Sequence, residues 1–316
     1  MALVEFPESL ALCLALVLGL LFGSFTNVVI HRLPLGQSVA FPASHCPGCG
    51  AAIAPYDNIP LVSFLLLGAR ARCCKVKIPW RYFVVELLGG MWAVAVMRVL
   101  ILDLPGSTGL GTAALLFAIY LALGLLLIAA IFIDLDHMIL PDTLTLGGAL
   151  LGIASTGLRD VELLTALVGA ATGFLIIWLP FIELYRRVRG FPGMGLGDAK
   201  LLLLTGAWFG WQGAVLVLLA ASLQGTLFAL PVLLVRGRLE EPKVVQEERA
   251  EAQALLAQLE GEEKRALEAE LAQDPLMTEA APGLGRARIA FGPFLALATL
   301  EYLFLGEAAK DWLLRL

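Results

Sequence analysis

The sequence predicts an all-α polytopic membrane protein of about eight transmembrane helices, with a small Cys-rich cytosolic module and a cytosolic helical insert. Three observations predict it. The 316 residues are 59% apolar and only 16% charged, far greasier than a soluble domain of this length. Apolar runs recur at about the 17 to 25 residues that a helix needs to cross the hydrocarbon core. Lysine and arginine collect in alternate loops, as they do when basic loops stay in the cytoplasm.

The runs fall at roughly 9–30, 83–101, 111–133, 143–157, 163–184, 198–211, 214–235 and 290–306, of which the fourth and sixth are short and Gly-rich. The first lacks a basic n-region and continues directly into "GSFTNVVIHRLP", so it reads as a retained span rather than a cleaved signal peptide. With the N-terminus outside, the inner loops 31–82, 185–197 and 236–289 hold six, three and eight basic residues, seventeen of twenty-two in the chain. Such a chain has lipid as its surroundings. Its net charge of −5 is carried by the acidic stretch 237–289, and no nucleic-acid surface is implied.

Residues 31–82 form a loop-rich segment with four cysteines. Cys46 and Cys49 stand in "CPGC", and Cys73 and Cys74 follow after 23 residues. Two Cys-x-x-Cys knuckles would point four thiolates at one zinc ion, but adjacent cysteines do not easily turn both sulfurs to one metal. Zinc and free thiols therefore both stay open, with a disulfide disfavoured in a reducing cytoplasm. Cys13, inside the first span, reads as packing. From Lys243 to Ala272 the composition is that of an exposed helix or helical hairpin broken at Gly261, with Leu255 and Leu259, then Leu267 and Leu271, at helical spacing. That segment is a solvated linker or a docking element.

Ionisable groups at membrane segments are costly, so each is a functional candidate. Asp134, Asp136 and Asp142 appear in "IFIDLDHMILPD", where the third run reaches the cytoplasm. Asp198 follows three alternating glycines in "GMGLGDAKLL" at the same face. Two carboxyls at one level can form an aspartyl-protease dyad, because like charges a few ångströms apart share a proton. Gly193, Gly195 and Gly197 would then bring backbone close to an extended substrate and allow conformations closed to other residues. The simpler alternative is helix capping. Asp142 suits an N-cap, Asp136 a solvated loop, and His137 either a general base or polar surface.

The ordered motifs "GSFTNVVIHRLP", "CPGC", "DNIPLVSFLLLG", "RYFVVELL", "DLDHMILPDTLTL", "GMGLGDAKLL" and "FGPFLALATLEYLF" resemble those of the bacterial prepilin peptidases, or type IV leader peptidases. The resemblance spans nearly the whole chain apart from 237–286. It implies a bacterial inner-membrane enzyme of the Gly-x-Gly-Asp aspartyl class, with its catalytic face in the cytoplasm. Such enzymes cut the basic leader from type IV prepilins or secretion pseudopilins just after a glycine. Many then methylate the new N-terminal amine with S-adenosylmethionine. The family pattern places the catalytic pair at Asp134, seven residues before the Pro of "LP", and at Asp198, which makes Asp136 a bystander.

It also implies a division of the chain: first helix 1–30, Cys-rich and methyltransferase-associated module 31–82, transmembrane protease core 83–235, acidic insert 236–289, and last helix with tail 290–316. In the family the second knuckle is Cys-x-x-Cys before "K-x-x-I". Anchored on "KVKI", this chain has Ala71 at the first position and Cys74 at the second, leaving Cys73 extra. Either Cys73 serves as the fourth ligand or the metal site is weakened. No glycine-rich nucleotide fingerprint marks a methyl-donor site. A presenilin-like or signal-peptide-peptidase-like protease would share the glycine-aspartate logic but usually carries Tyr before its first Asp, where Ile133 stands here. A non-enzymatic ion or proton carrier would use the same acids without cleaving anything.

Overall fold

The computed structural model describes residues 7–46, 48–190, 192–236, 243–273 and 290–313. Among them are eleven α-helices: α1 Glu8–Arg32, α2 Val62–Leu66, α3 Trp80–Val96, α4 Leu110–His137, α5 Asp142–Ala154, α6 Leu163–Ile177, α7 Tyr185–Arg189, α8 Leu196–Arg236, α9 Lys243–Gln258, α10 Gly261–Gln273 and α11 Gly292–Leu313. Five stretches, Glu8–Arg32, Trp80–Ile101, Leu110–His137, Leu163–Arg189 and Leu196–Val235, are long and apolar enough to cross a membrane. Asp142–Ala154 and Gly292–Gly306 are shorter apolar helices. The chain divides into two compact units, Met1–Ala129 with Gly157–Asp160, and Ala130–Thr156 with Val161–Leu316.

In the first unit α1 packs on α3 through small residues. Ala11, Ala15, Gly19 and Gly23 recur every fourth position and are buried. In lipid no hydrophobic force draws helices together, so close backbone approach and dispersion hold the pair. A Cβ on Gly23 would lie 3.1 Å from the Glu86 Cα, and one on Gly90 2.8 Å from a Leu20 methyl. Trp92 Nε1 donates to the Tyr120 carbonyl at 2.9 Å, and its indole fills the space left by Gly124.

In the second unit the stretch Leu196–Arg236 is not one rod. Forty residues of straight helix would reach about 60 Å, twice the hydrocarbon thickness. Gly210 breaks it at φ 71°, ψ −177°, a conformation open essentially to glycine alone. Contacts with α11 give the direction of each arm. Thr205 meets Thr299 and Phe209 meets Tyr302, ascending together. Gly213 then meets Tyr302 while Gly225 and Phe228 meet Phe294, descending. The arms are antiparallel. The two sequence runs 198–211 and 214–235 are thus separate arms with a glycine reversal between them.

The first arm is clamped by glycines on its neighbours. Gly206 lies against Gly169 of α6, Gly173 against Leu202, and Trp208 donates to the Gly148 carbonyl of α5 at 2.9 Å. After α6 the helix widens to a π turn over Trp178–Leu184, where Pro180 removes a donor, and resumes as α7. The insert forms α9 and α10, parted at Gly261 with φ 67°, as the sequence predicts.

Candidate functional site

Asp134 lies in the last turn of α4 and is only 5% exposed. The helix ends three residues later at His137, and Met138, at φ 54°, donates its N–H to the Asp134 carbonyl at 2.9 Å. A methionine in the left-handed region is uncommon, and here it turns the chain sharply behind the acid. Asp136 sits about 200° round the helix from Asp134, on another face, because successive residues advance by about 100°.

Asp198 is the third residue of α8 and is half-buried. Its carboxylate accepts the Gly195 N–H, the reach-back half of a capping box. Capping and function are therefore not exclusive: one bond leaves most of the carboxyl's lone pairs free. Asp134 and Asp198 lie close enough to feel each other's charge. Leu140 explains how. Its side chain packs against both Gly197, next to Asp198, and Gly292, next to Asp134. A Cβ on Gly197 would stand 2.9 Å from Leu140 Cβ, and a Cβ on Gly292 would stand 2.6 Å from Asp134 Oδ2. The Gly292 N–H also bonds the Asp134 carboxyl. Gly292 opens α11 within the "FGPF" motif, and its part in holding Asp134 is not readable from spacing alone.

The three alternating glycines do not use the backbone conformations that the sequence expectation allowed them. None adopts the left-handed region; Gly190 just before them does, at φ 86°. Gly193 instead donates to the Phe181 carbonyl, freed by the π turn, at 2.8 Å, and a side chain there would meet the Tyr185 ring. A Cβ added at Gly195 would have Asp198 Oδ2 as its nearest neighbour, at an ordinary contact of 3.4 Å. Asp142 is also not the N-cap. Pro141 occupies that place, and Asp142 accepts an ion-paired hydrogen bond from Lys200 Nζ at 2.5 Å. Acids within the apolar helices that escape the sequence reading include Glu86 of α3, and Glu301 of α11, which accepts from Gln224 at 2.6 Å.

The four cysteines come together, all sulfurs within 4.8 Å of one another. Cys46 and Cys74 are 3.5 Å apart, Cys49 and Cys73 3.3 Å, and none is disulfide-bonded. A tetrahedral zinc with Zn–S of about 2.3 Å has edges of about 3.8 Å, so the cage fits. The backbone shows why adjacent cysteines succeed. The segment repeats itself 25 positions on: Cys46 N to Ala51 O at 2.8 Å matches Ala71 N to Val76 O at 2.9 Å, and Gly50 N to Cys46 O matches Lys75 N to Ala71 O. The bridges His45 to Ala52 and Arg70 to Lys77 match too, as do the left-handed Gly50 and Lys75. Ala71 thus takes the place of Cys46, and Cys74 that of Cys49. Cys73 occupies the place of Gly48, inside the knuckle, and delivers the missing sulfur from there. The Gly48 N–H lowers the Cys46 thiol to about 7, whereas hydrogen bonding to Cys49 and Cys46 pushes Cys73 up to about 12.

Comparison with known proteins bears on both halves. A model of the bacterial peptidase A24 N-terminal domain matches residues 17–100, and one of the type IV leader peptidase family matches 121–230. The chain is 39% identical to the prepilin leader peptidase/N-methyltransferase of Myxococcus xanthus strain DK1622, covering 95% of this chain and 90% of that one. It is 40% identical to the protein of that name from Pseudomonas aeruginosa, covering 74% and 85%, and 42% identical to the one from Klebsiella pneumoniae, covering 65% and 87%. No solved structure matches the chain.

Proposed function

The chain belongs to the type IV leader peptidase family, and from that premise we propose that it is a multi-pass membrane aspartyl endopeptidase that also N-methylates its product. Its substrates are type IV prepilins or pseudopilins, cut after glycine to free a basic leader. Asp134 and Asp198 are the catalytic pair. The observation that carries this is their convergence through Leu140 from helices whose nearest ends, His137 of α4 and Leu196 of α8, are 59 positions apart in the chain.

The pair shares one proton. The ionised carboxyl takes a proton from water, whose oxygen attacks the scissile carbonyl, while the protonated carboxyl donates to the carbonyl oxygen. A low-dielectric setting strengthens both steps. The backbone at Gly195, beside Asp198, is where the extended peptide would approach. The enzyme sits in the bacterial inner membrane with its N-terminus outside and the dyad at the cytoplasmic face, supported by the basic inner loops. A leader rich in Lys and Arg stays in the cytoplasm by the same rule.

Cys46, Cys49, Cys73 and Cys74 would hold zinc, which ties the two knuckles of the module together. The second activity implies S-adenosylmethionine as methyl donor. The chain divides accordingly into helix 1–30, module 31–82, protease core 83–235, insert 236–289 and closing helix 290–316. The decisive experiment is mass spectrometry of a prepilin incubated with purified protein. Asp134→Asn and Asp198→Asn are each expected to reduce leader removal by at least ~10³-fold while the protein keeps its helical content. Cleavage that survives either substitution would refute the dyad.

A further inference from the structure

The dyad leaves Glu86 without a task. It lies in an apolar span, is 8% exposed, and sits where α1 and α3 touch backbone to backbone at Gly23. Its carboxylate accepts the Leu61 N–H at 2.8 Å and a hydrogen bond from the Ser24 side chain. One turn beyond Ser24 on α1 stands Asn27, 3% exposed, whose Nδ2 donates to the Tyr82 carbonyl at 3.1 Å, one turn before Glu86 on α3. The Asn27 Oδ1 is buried with no hydrogen-bond partner. Reversing the amide would set that oxygen against the Tyr82 carbonyl, so the orphan is an acceptor.

Acceptors are thus in surplus. A carboxylate offers about four lone-pair sites; two are used here, and the Asn27 oxygen adds another. Among the described residues no cation pairs with Glu86. The charged and titratable groups on the elements meeting here are otherwise engaged or further along. Asp57 pairs with Arg72, Arg32 bonds the Ser38 carbonyl, and His31, Arg81 and Tyr82 lie at the helix ends. Tethering Leu61 accounts for one lone pair of Glu86 but not for the orphaned amide. A buried acceptor left unpaired is costly, and a ligand that brings only donors repays it. A primary ammonium is such a ligand. Ser24, half-buried, leaves the cluster a way in.

We propose that Glu86, with Ser24 and Asn27, binds the α-ammonium of the leader-free pilin and removes its proton for methyl transfer, a proposal that rests on the N-methyltransferase reading. An ammonium has no lone pair and cannot be methylated. Glu86 takes one proton, and the neutral amine forms the N–CH3 bond as the C–S bond of a sulfonium donor breaks, its electron pair returning to sulfur. The product is a secondary ammonium and a thioether, so charge and atoms balance.

The test uses full-length protein with a prepilin, a synthetic leader-free peptide bearing a free N-terminal amine, and S-adenosylmethionine. Glu86→Gln keeps an acceptor for the Leu61 N–H but cannot take a proton. It is expected to leave leader removal intact while slowing methylation by about tenfold at pH 7 and up to ~10²-fold at pH 6, the factors by which the free amine is then protonated. The residual rate should climb about tenfold per pH unit below about pH 7 and level off above the amine's own ionisation at ~8, since only the amine already neutral then reacts. A merely structural role would give a loss that pH does not rescue, and that result, or methylation at the wild-type rate, overturns the proposal. If Glu86→Gln also stops leader removal, Asn27→Ala decides: a methylation defect with cleavage intact supports the site, and none refutes it. A wild-type protein that cleaves but never adds a methyl group refutes the N-methyltransferase reading itself, and the proposal with it.

Discussion

Around the dyad, single carbon atoms separate a working geometry from a blocked one. Gly292 approaches Asp134 so closely that alanine would place its Cβ 2.6 Å from Oδ2, and the backbone N–H that bonds the carboxyl would have to move with it. Gly197→Ala meets Leu140 Cβ at 2.9 Å, whereas Gly195→Ala makes only an ordinary contact at 3.4 Å. Overpacking of this kind costs about 1–3 kcal/mol and shifts groups by up to an ångström, which misaligns catalysis by roughly 10²-fold. Leader removal should therefore fall by about 10- to 100-fold in Gly292→Ala and Gly197→Ala, and by less than about threefold in Gly195→Ala. Gly109→Ala, with nothing within 4 Å, is the control. Steady-state cleavage rates rank these variants, and a Gly195→Ala defect as deep as that of Gly292→Ala would contradict the packing argument. Lys200→Met removes only a partly exposed ion pair with Asp142, so it should change stability by about 1 kcal/mol or less.

Among the elements, the cysteine knuckles show most clearly what spacing can and cannot tell. The sequence reveals four sulfurs, yet the repeat that unites them is written in hydrogen bonds and left-handed turns, with Cys49 and Cys74 the shared cysteine. Cys73→Ser should cut bound zinc well below one per chain, and adding Ala71→Cys to it should restore the metal by refilling the place that Cys46 holds in the first knuckle. Metal analysis and chelator competition read this directly; zinc retained in full by Cys73→Ser would show that the interior sulfur is not a ligand. The same limit on legibility holds elsewhere. Asp134 and Asp198 stand out because acids are scarce in apolar runs, and the helices follow from run length. Gly292 and Glu86 stay hidden, because one has no side chain to notice and the other is one acid inside a continuous apolar pattern. The reversal between the runs 198–211 and 214–235 is legible as two spans, but its pivot at Gly210 is not, since a lone glycine in a helix pattern usually stays helical. Gly210→Ala should lower the thermal midpoint in detergent markedly, as φ 71° with ψ −177° is closed to alanine at a cost of about 1–3 kcal/mol. An unchanged midpoint would mean that the arms turn without it.

At the scale of the whole molecule the two proposed sites belong to different compact units. Asp134, Asp198, Leu140, Gly197 and Gly292 all belong to the unit built from Ala130–Thr156 and Val161–Leu316. The cysteine cage and the Glu86 cluster belong to the other, built from Met1–Ala129 and Gly157–Asp160. Each unit is held by its own glycine-mediated helix contacts, α1 on α3 in one and α5, α6 and α11 on α8 in the other. Cys46→Ser disrupts the cage at its buried cysteine. It is expected to abolish zinc retention and to reduce methyl addition by about tenfold or more, the size of effect that loss of a supporting metal shell produces. Leader removal should stay within about twofold of the wild type, since the substituted cysteine lies outside the unit that holds Asp134 and Asp198. One mass spectrum reports both reactions, through loss of the leader and gain of one methyl group. Equal loss of the two activities in Cys46→Ser would mean that the units function as one body; loss of methylation alone would assign the cage to the second reaction.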